Sequence, residues 1–351
     1  MHVINAETPD SGLAAALLLL KTQGRAAPSR NGTVIRAPGP VATVYRNPLR
    51  RVMLSPLRDA NPFFHLYEAI WMLAGRNDAE AVARYANTMN SFASEEGKLW
   101  GAYGYRWREF FGFDQLAEII KLIREDRTTR RAVLTMWSPV GDLIPFDAAS
   151  REGARASKDV PCNTQVYFDP TQGVLDMTVC NRSNDIVWGC YGANLVHMSF
   201  LHEFVAIATG LPTGTYTQMS NNFHAYVDRP DVARLFEGFV PDDRYTDFRS
   251  LIGGRHYPIM HTEWDEYLAE CALFAEQPTA DNWNDPFLQN VAGPMMEAHA
   301  AYKSDRLGLA LSICEDIQAP DWQAASVEWL QRRVAKRQES ARKLMDGEET
   351  L

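Results

Sequence analysis

Cys162 stands in the stretch PCNTQVYF (Pro161–Phe168), where a polar loop meets an apolar run. A lone cysteine usually behaves as a small buried hydrophobe. Three features favour a nucleophile instead. Pro161 rigidifies the approach, a long loop precedes it, and NRSND (Asn181–Asp185) lies across an expected hairpin. That hairpin brings Arg182 within range, and a nearby guanidinium favours the thiolate, the nucleophilic form. Cys180 and Cys190 lack such a setting and read as structural.

Arginines are the second signal: Arg30 in SRNG, the pair Arg130 and Arg131, and Arg182 followed by Ser183. Surface arginines usually just hold a solvated face. Arg131 and Arg182 instead fall at the edges of apolar strands, where an unpaired charge is costly. Guanidinium forks match phosphate oxygens bidentately and Ser183 adds a hydroxyl, so a phosphorylated small molecule is the expected ligand. In SNNFHAY (Ser220–Tyr226), His224 and Tyr226 are two apart on a strand and share a face. A satisfied half-buried pair and a clamp for sugar hydroxyls are both open there. His197, His202, His256 and His261 show no matching carboxylate or cysteine pattern, and no metal site is expected.

These residues need elements to hold them. TQVYF and VLDMTVCN flank DPTQG (Asp169–Gly173), the pattern of a β-hairpin. ANLVHMSFLHEFVAIATG (Ala193–Gly210) is apolar almost all round, so it is expected as a central helix. NPFFHLYEAIWMLAG (Asn61–Gly75) reads as a buried helix stopped by Gly75, with further helices from near Ser11, over 78–92 and over 114–125. RAVLTMW (Arg131–Trp137) and the alternating Thr213–Tyr226 read as strands, and Ala27–Pro40 as a turn-rich stretch around a short one. The polar segment Ser138–Asp159 is long for a connection, hence mobile or functional. After about residue 230 the chain turns helical, with helices expected at 264–275, 286–303 and 321–345. The class is α+β: a mixed sheet on one buried helix, with a helical C-terminal extension.

With 46% hydrophobic residues in 351, the chain can bury a large core. A net charge of -9 without a basic block argues against bulk binding to nucleic acid. Five cysteines without CxxC spacing argue for reduced thiols in a cytoplasmic compartment. AAALLLL near the start is too short to span a membrane.

Eight fragments in order resemble the thymidylate synthase family, including its phage hydroxymethylase branch: SRNG, YEAIWMLAG, GAYGYRWR, RRAVLTMW, PCN, NRSNDIVWG, GAN and FHAY. They span about residues 25–230. The resemblance implies a catalytic core at 1–230 and a divergent helical region at 231–351 packed on it. It implies a transfer of one carbon from 5,10-methylenetetrahydrofolate, the co-substrate, to C5 of a pyrimidine nucleotide. Cys162 would add to C6. Arg30, Arg182 and Ser183 would hold the 5′-phosphate, with Arg130 and Arg131 donated across a homodimer. His224 and Tyr226 would bind the 3′-hydroxyl, Asn194 would read the base, and Asp185 would hold the pterin. Glu68 and Tyr103 would organise proton transfer.

Four departures from the synthases stand out. Asn163 replaces the usual histidine beside the nucleophile, and Met89 replaces a folate-facing tryptophan. GCYGAN is one residue longer than the usual turn, and the chain ends MDGEETL rather than in a short apolar tail. A looser seal against water favours hydroxymethyl over methyl as the product. With dUMP as the favoured substrate, the expected product is its 5-hydroxymethyl derivative. dTMP synthesis, a cytosine nucleotide as substrate, and a non-catalytic nucleotide-binding protein on the same fold are the competing readings.

Overall fold

Burial alternates strictly along Leu175–Asn181, with Leu175, Met177, Val179 and Asn181 turned inward. That is the period of a strand with one covered face. The computed structural model describes residues 1–29, 31–143, 159–245, 256–279 and 282–345, with side chains as far as residue 339. Arg30 and most of the Ser138–Asp159 segment lie outside the described residues.

One mixed sheet runs in the order β1 (His2–Ala6), β4 (Val41–Tyr45), β9 (Thr213–Ser220), β7 (Leu175–Asn181), β6 (Asn163–Asp169), β5 (Val133–Thr135). The expected hairpin is β6 and β7, paired antiparallel from Asn163↔Asn181 to Asp169↔Asp176. The second sheet runs β2 (Arg25–Ser29), β3 (Gly32–Arg36), β10 (Phe223–Tyr226), β8 (Asn184–Asp185). The stretch Ala27–Pro40 thus contributes to a β2–β3 hairpin, more than one short strand. Thr213–Tyr226 is two strands, not one. Asn221 and Asn222 turn the corner between the sheets, through Asn221 N–H to the Asn181 carbonyl and Asn184 N–H to the Asn222 carbonyl. The expected strand Arg131–Trp137 shortens to β5, because the N–H groups of Met136 and Trp137 both turn to the Thr164 carbonyl.

Helix α1 (Pro9–Gln23) starts at a Thr8 cap, and α2 (Pro62–Leu73) at an Asn61 cap. The helix expected over 78–92 breaks into α3 (Ala79–Ala83) and a 3-10 segment, Asn87–Phe92. Its Asn and Ser side chains bond locally, Asn90 to Asn87 and Ser91 to the Thr88 carbonyl, which competes with a regular helix. Helices α4 (Tyr103–Arg108) and α5 (Gln115–Glu125) follow. α6 (Asn194–Thr209) is buried at every position but Ile207, and it packs on α2, α5, β7 and β9. That central helix is the platform for the site.

Beyond residue 230 come α7 (Pro230–Gly238), α8 (Trp264–Glu276), α9 (Gly293–Lys303), α10 (Leu307–Cys314) and α11 (Pro320–Met345). The helix expected over 286–303 is a wide turn at Leu288–Ala292 followed by α9. α8 packs on α2 and α6, and α11 packs on α2. Fully buried Arg51 pairs with Glu203 of α6, which also meets His256 Nε2 at 2.8 Å and accepts from Ile259 N–H at 3.2 Å. Burial alone would raise the Glu203 carboxyl, but the charges of Arg51 and His256, with hydrogen bonds from both, hold it down to about 2. A depressed carboxylate stabilises the fold above its unfolded value of 4.5 and stops doing so as pH falls through about 2. Glu203→Gln strands the Arg51 charge and is expected to cost about 3 kcal/mol at neutral pH. The gap closes towards pH 2, which urea unfolding across pH measures; a gap independent of pH would refute it.

The face of the main sheet turned away from α6 is partly open. Strand register lines Asn5, Val44, Thr217, Thr178, Tyr167 and Val133 into one row across all six strands. Val133 and Tyr167 are exposed there. Among the described residues no helix is long and apolar enough to cross a membrane.

Candidate active site

Cys162 sits immediately before β6, part-exposed, where the ladder closes with Arg182 N–H donating to the Cys162 carbonyl at 2.9 Å. The register shifts between Asn163 and Gln165, an irregularity that re-aims side chains at a strand end. Arg182 curls back over the loop: its Nε donates to the Pro161 carbonyl and its Nη2 to the Val160 carbonyl, both at 2.9 Å. A guanidinium carries five N–H donors, so these bonds leave others for a ligand. Arg182 thus does come to the cysteine's loop, and it clamps the backbone there. It is exposed, as is Arg131, so neither is the costly buried charge that their strand-edge positions suggested.

From the other side, Gly101 lets the loop approach. A Cβ there would lie 2.9 Å from the Pro161 nitrogen and 3.0 Å from Asp159, while the Gly101 N–H donates to Asp159 at 2.8 Å. Tyr103 opens the next helix, α4. Burial pushes its phenol well above the usual range, with Cys162 and Asp159 adding to the rise and the N–H groups of Asn163 and Cys162 opposing it. Burial likewise raises the Asp159 carboxyl, which feels the charges of Arg106, Glu68 and Arg182. Cys162, Tyr103, Asp159, Glu68 and Arg182 therefore form one electrostatic neighbourhood.

Glu68, on α2, is buried, and its carboxylate lies 3.0 Å from His197 Nε2 on α6. The contact is not aligned as a hydrogen bond, and both ring nitrogens of His197 lack hydrogen-bond partners among the described residues. Sequence spacing gave His197 no carboxylate; helix packing supplies one. His256 is corrected in the same way by Glu203. The side chain of Asn163 is fully buried with neither amide atom bonded. Among the described residues no cluster of His, Cys, Asp or Glu is placed to hold a metal ion.

Asp185 ends β8. Its Oδ1 accepts from the N–H groups of Val187 (2.9 Å) and Trp188 (2.7 Å), while Oδ2 is buried without a hydrogen-bond partner. Burial raises the Asp185 carboxyl, against those N–H groups and the charges of His224 and Arg58. The extra residue in GCYGAN is absorbed in wide, π-type turns over Ile186–Ala193, kinked at Gly192, so Asn194 still opens the central helix. His224 pairs in register with Asp185, and its ring meets Tyr226 edge-on at 5.2 Å. Ser183 is half-buried between Arg182 and Asn184.

Arg130 and Arg131 are exposed, with no ion pair to either among the described residues. Met89 is half-buried against the core. Burial raises the thiols of Cys180 and Cys190, the wrong direction for a nucleophile. Arg58, whose Nε donates to the Val187 carbonyl at 2.8 Å, braces the turns behind Asp185 and carried no sequence signal.

A family model described as thymidylate synthase matches residues 22–236. A deoxyuridylate hydroxymethyltransferase of Pseudomonas phage M6 is 43% identical over 357 aligned residues, covering 99% of each chain. One of Bacillus phage SP01 is 36% identical over 208 residues, 56% of this chain and 52% of that one. A thymidylate synthase of Symbiobacterium thermophilum is 34% identical over 183 residues, 48% of this chain and 60% of that one. The site around Cys162 and these similarities lead to one conclusion: the chain belongs to the thymidylate synthase family.

Proposed function

We propose that this protein converts dUMP to its 5-hydroxymethyl derivative. The observation that carries the reading is the setting of Cys162: part-exposed, its loop clamped by Arg182, and beside Tyr103 and Asp159. The full-length similarity to a phage deoxyuridylate hydroxymethyltransferase supports the same substrate and product. Residues 231–351 are then a helical layer added to a catalytic core at 1–230.

C5 of uracil is a poor nucleophile. Cys162 Sγ bonds to C6, and the C5–C6 electron pair becomes available at C5. Arg182, Ser183 and Arg30 hold the phosphate and so orient the ring over the sulfur. His224 and Tyr226 bind the sugar hydroxyl, and Asn194 reads the base. 5,10-Methylenetetrahydrofolate supplies the one-carbon unit. The buried, unbonded Asp185 Oδ2 suits an N–H donor of its pterin. Once C5 has bonded to that carbon, C5 loses its proton, the bond from the carbon to the folate nitrogen breaks and tetrahydrofolate leaves. A water then adds to the exocyclic methylene that results. Its proton passes to the Glu68–His197 pair, and the returning electron pair expels the Cys162 thiolate. A thiol that must stay reduced fits a cytoplasmic setting.

Incubation with the folate and C5-tritiated dUMP is expected to release tritium and leave tetrahydrofolate, with a product heavier than dTMP by one oxygen. Absence of release from both dUMP and dCMP would sink the proposal, and formation of dihydrofolate would move it to methylation.

The open row Asn5–Val133 on the main sheet supports a homodimer formed through that face, with Arg130 and Arg131 reaching the partner's phosphate. Neither Cys162→Ala nor Arg131→Ala homodimers are expected to turn over at more than a small fraction of the wild-type rate. Mixing and refolding the two should restore activity, since one site of each heterodimer is then intact. No recovery on mixing would argue against shared sites.

A further inference from the structure

Asn194 ends a relay of buried side chains. Its Nδ2 donates to Asn184 Oδ1 at 3.0 Å. Asn184 Nδ2 donates to Gln218 Oε1 at 2.6 Å and to Ser220 Oγ at 3.0 Å. Gln218 Nε2 donates in turn to the Tyr216 hydroxyl at 2.7 Å. Asn184, Gln218, Ser220 and Tyr216 are each at most 1% exposed, so water cannot replace a lost bond without a cavity. Gly189 closes the front: a Cβ there would lie 2.8 Å from Asn184 Oδ1 and 3.1 Å from Asn194 Nδ2.

We propose that Asn184 is a specificity-determining residue, locking the Asn194 amide in one orientation and thereby selecting uracil over cytosine. The proposal rests on the reading of Asn194 as the group that faces the base. An amide presents one donor and one acceptor to a pyrimidine edge, and O4/N3–H of uracil and N4–H/N3 of cytosine need them in opposite order. A free asparagine would flip and accept either base. Here a flip of Asn194 alone sets its oxygen against Asn184 Oδ1 across 3.0 Å. Relief requires Asn184 to turn, which confronts its oxygen with Gln218 Oε1, so the amides move together or not at all. Discrimination then comes from a residue that never touches the nucleotide.

Titration of dUMP and dCMP into the wild type, Asn184→Ala and Gln218→Leu tests this without folate or turnover, with thermal unfolding as a check on folding. The wild type is expected to prefer dUMP. Asn184→Ala should reduce that preference by roughly ten-fold or more, and Gln218→Leu should reduce it too, since the Ser220 hydroxyl can accept or donate and leaves the Asn184 amide free to turn. A merely structural role would weaken both nucleotides alike, so an unchanged ratio in both variants overturns the lock. Equal binding of the two nucleotides by the wild type overturns it too. Tritium release from dUMP by the same wild-type preparation reports separately on the proposed reaction.

Discussion

Cys162→Ala is expected to reduce tritium release from C5 by roughly 10⁴-fold or more, leaving nucleotide affinity within about three-fold. The separation follows from what holds the loop. Arg182 bonds the carbonyls of Val160 and Pro161 and donates its N–H to the Cys162 carbonyl. The groups opposing the rise of the Tyr103 phenol are likewise backbone N–H groups. None of these contacts uses the sulfur, so alanine removes the proposed nucleophile and leaves these contacts in place. Without addition at C6, C5 has no electron pair to offer, and positioning alone does not replace it. Cys162→Ser should be nearly as inactive, because a hydroxyl is a far weaker nucleophile at neutral pH. A stopped covalent adduct with 5-fluoro-dUMP and folate, read by intact mass, should appear in the wild type and in neither variant. Substantial turnover by Cys162→Ala would remove the covalent route altogether.

The largest expected effect on stability lies next to the site. Arg106 of α4 is fully buried and makes a bidentate pair with Asp142, itself inaccessible, at 2.6 and 2.9 Å. Its remaining N–H groups donate to the carbonyls of Met136 (2.7 Å) and Trp100 (3.1 Å), and its plane lies over the Phe110 ring at 4.4 Å. Asp142 also accepts from Trp100 Nε1 and Ser138 N–H, both at 2.9 Å. Removing one partner leaves a buried charge, so Arg106→Met is expected to cost about 3–5 kcal/mol. The double variant Arg106→Met/Asp142→Leu should recover part of that loss, because neither charge then remains buried. Guanidinium unfolding of the wild type, Arg106→Met, Asp142→Leu and the double variant measures the coupling. Trp100 precedes Gly101, against which the cysteine's loop packs, and Tyr103 lies one turn before Arg106. The single variant should therefore lose activity at temperatures where it is still folded. A cost below about 1 kcal/mol would mean that water reaches the pair.

How far the sequence carried depends on the reach of each signal. Strand alternation and turn chemistry are local, so the β6–β7 hairpin was legible, and with it the meeting of Arg182 with the loop of Cys162. A helix apolar almost all round has only one place to go, so the central position of Asn194–Thr209 was legible too. The Thr213–Tyr226 stretch alternates as one strand would, because alternation continues across the Asn221–Asn222 corner, while the two halves pair in different sheets. The apolar spacing over 78–92 predicts a longer helix than the chain forms, since spacing does not show the local bonds of Asn90 and Ser91.

By itself the sequence determined which side chains are available and in what order: the cysteine, the arginines, the asparagine and the carboxylates. Only the tertiary structure decided what each one faces. Glu68 and His197 stand far apart in the chain and meet because α2 packs on α6. Asn184 reaches Gln218 and Ser220 because β8 and β9 come together at a corner between two sheets. Arg106 finds Asp142 in a segment with no regular pattern to read. Such pairings come from long-range packing, which leaves no period in the sequence, and burial then makes them strong by excluding the water that would compete.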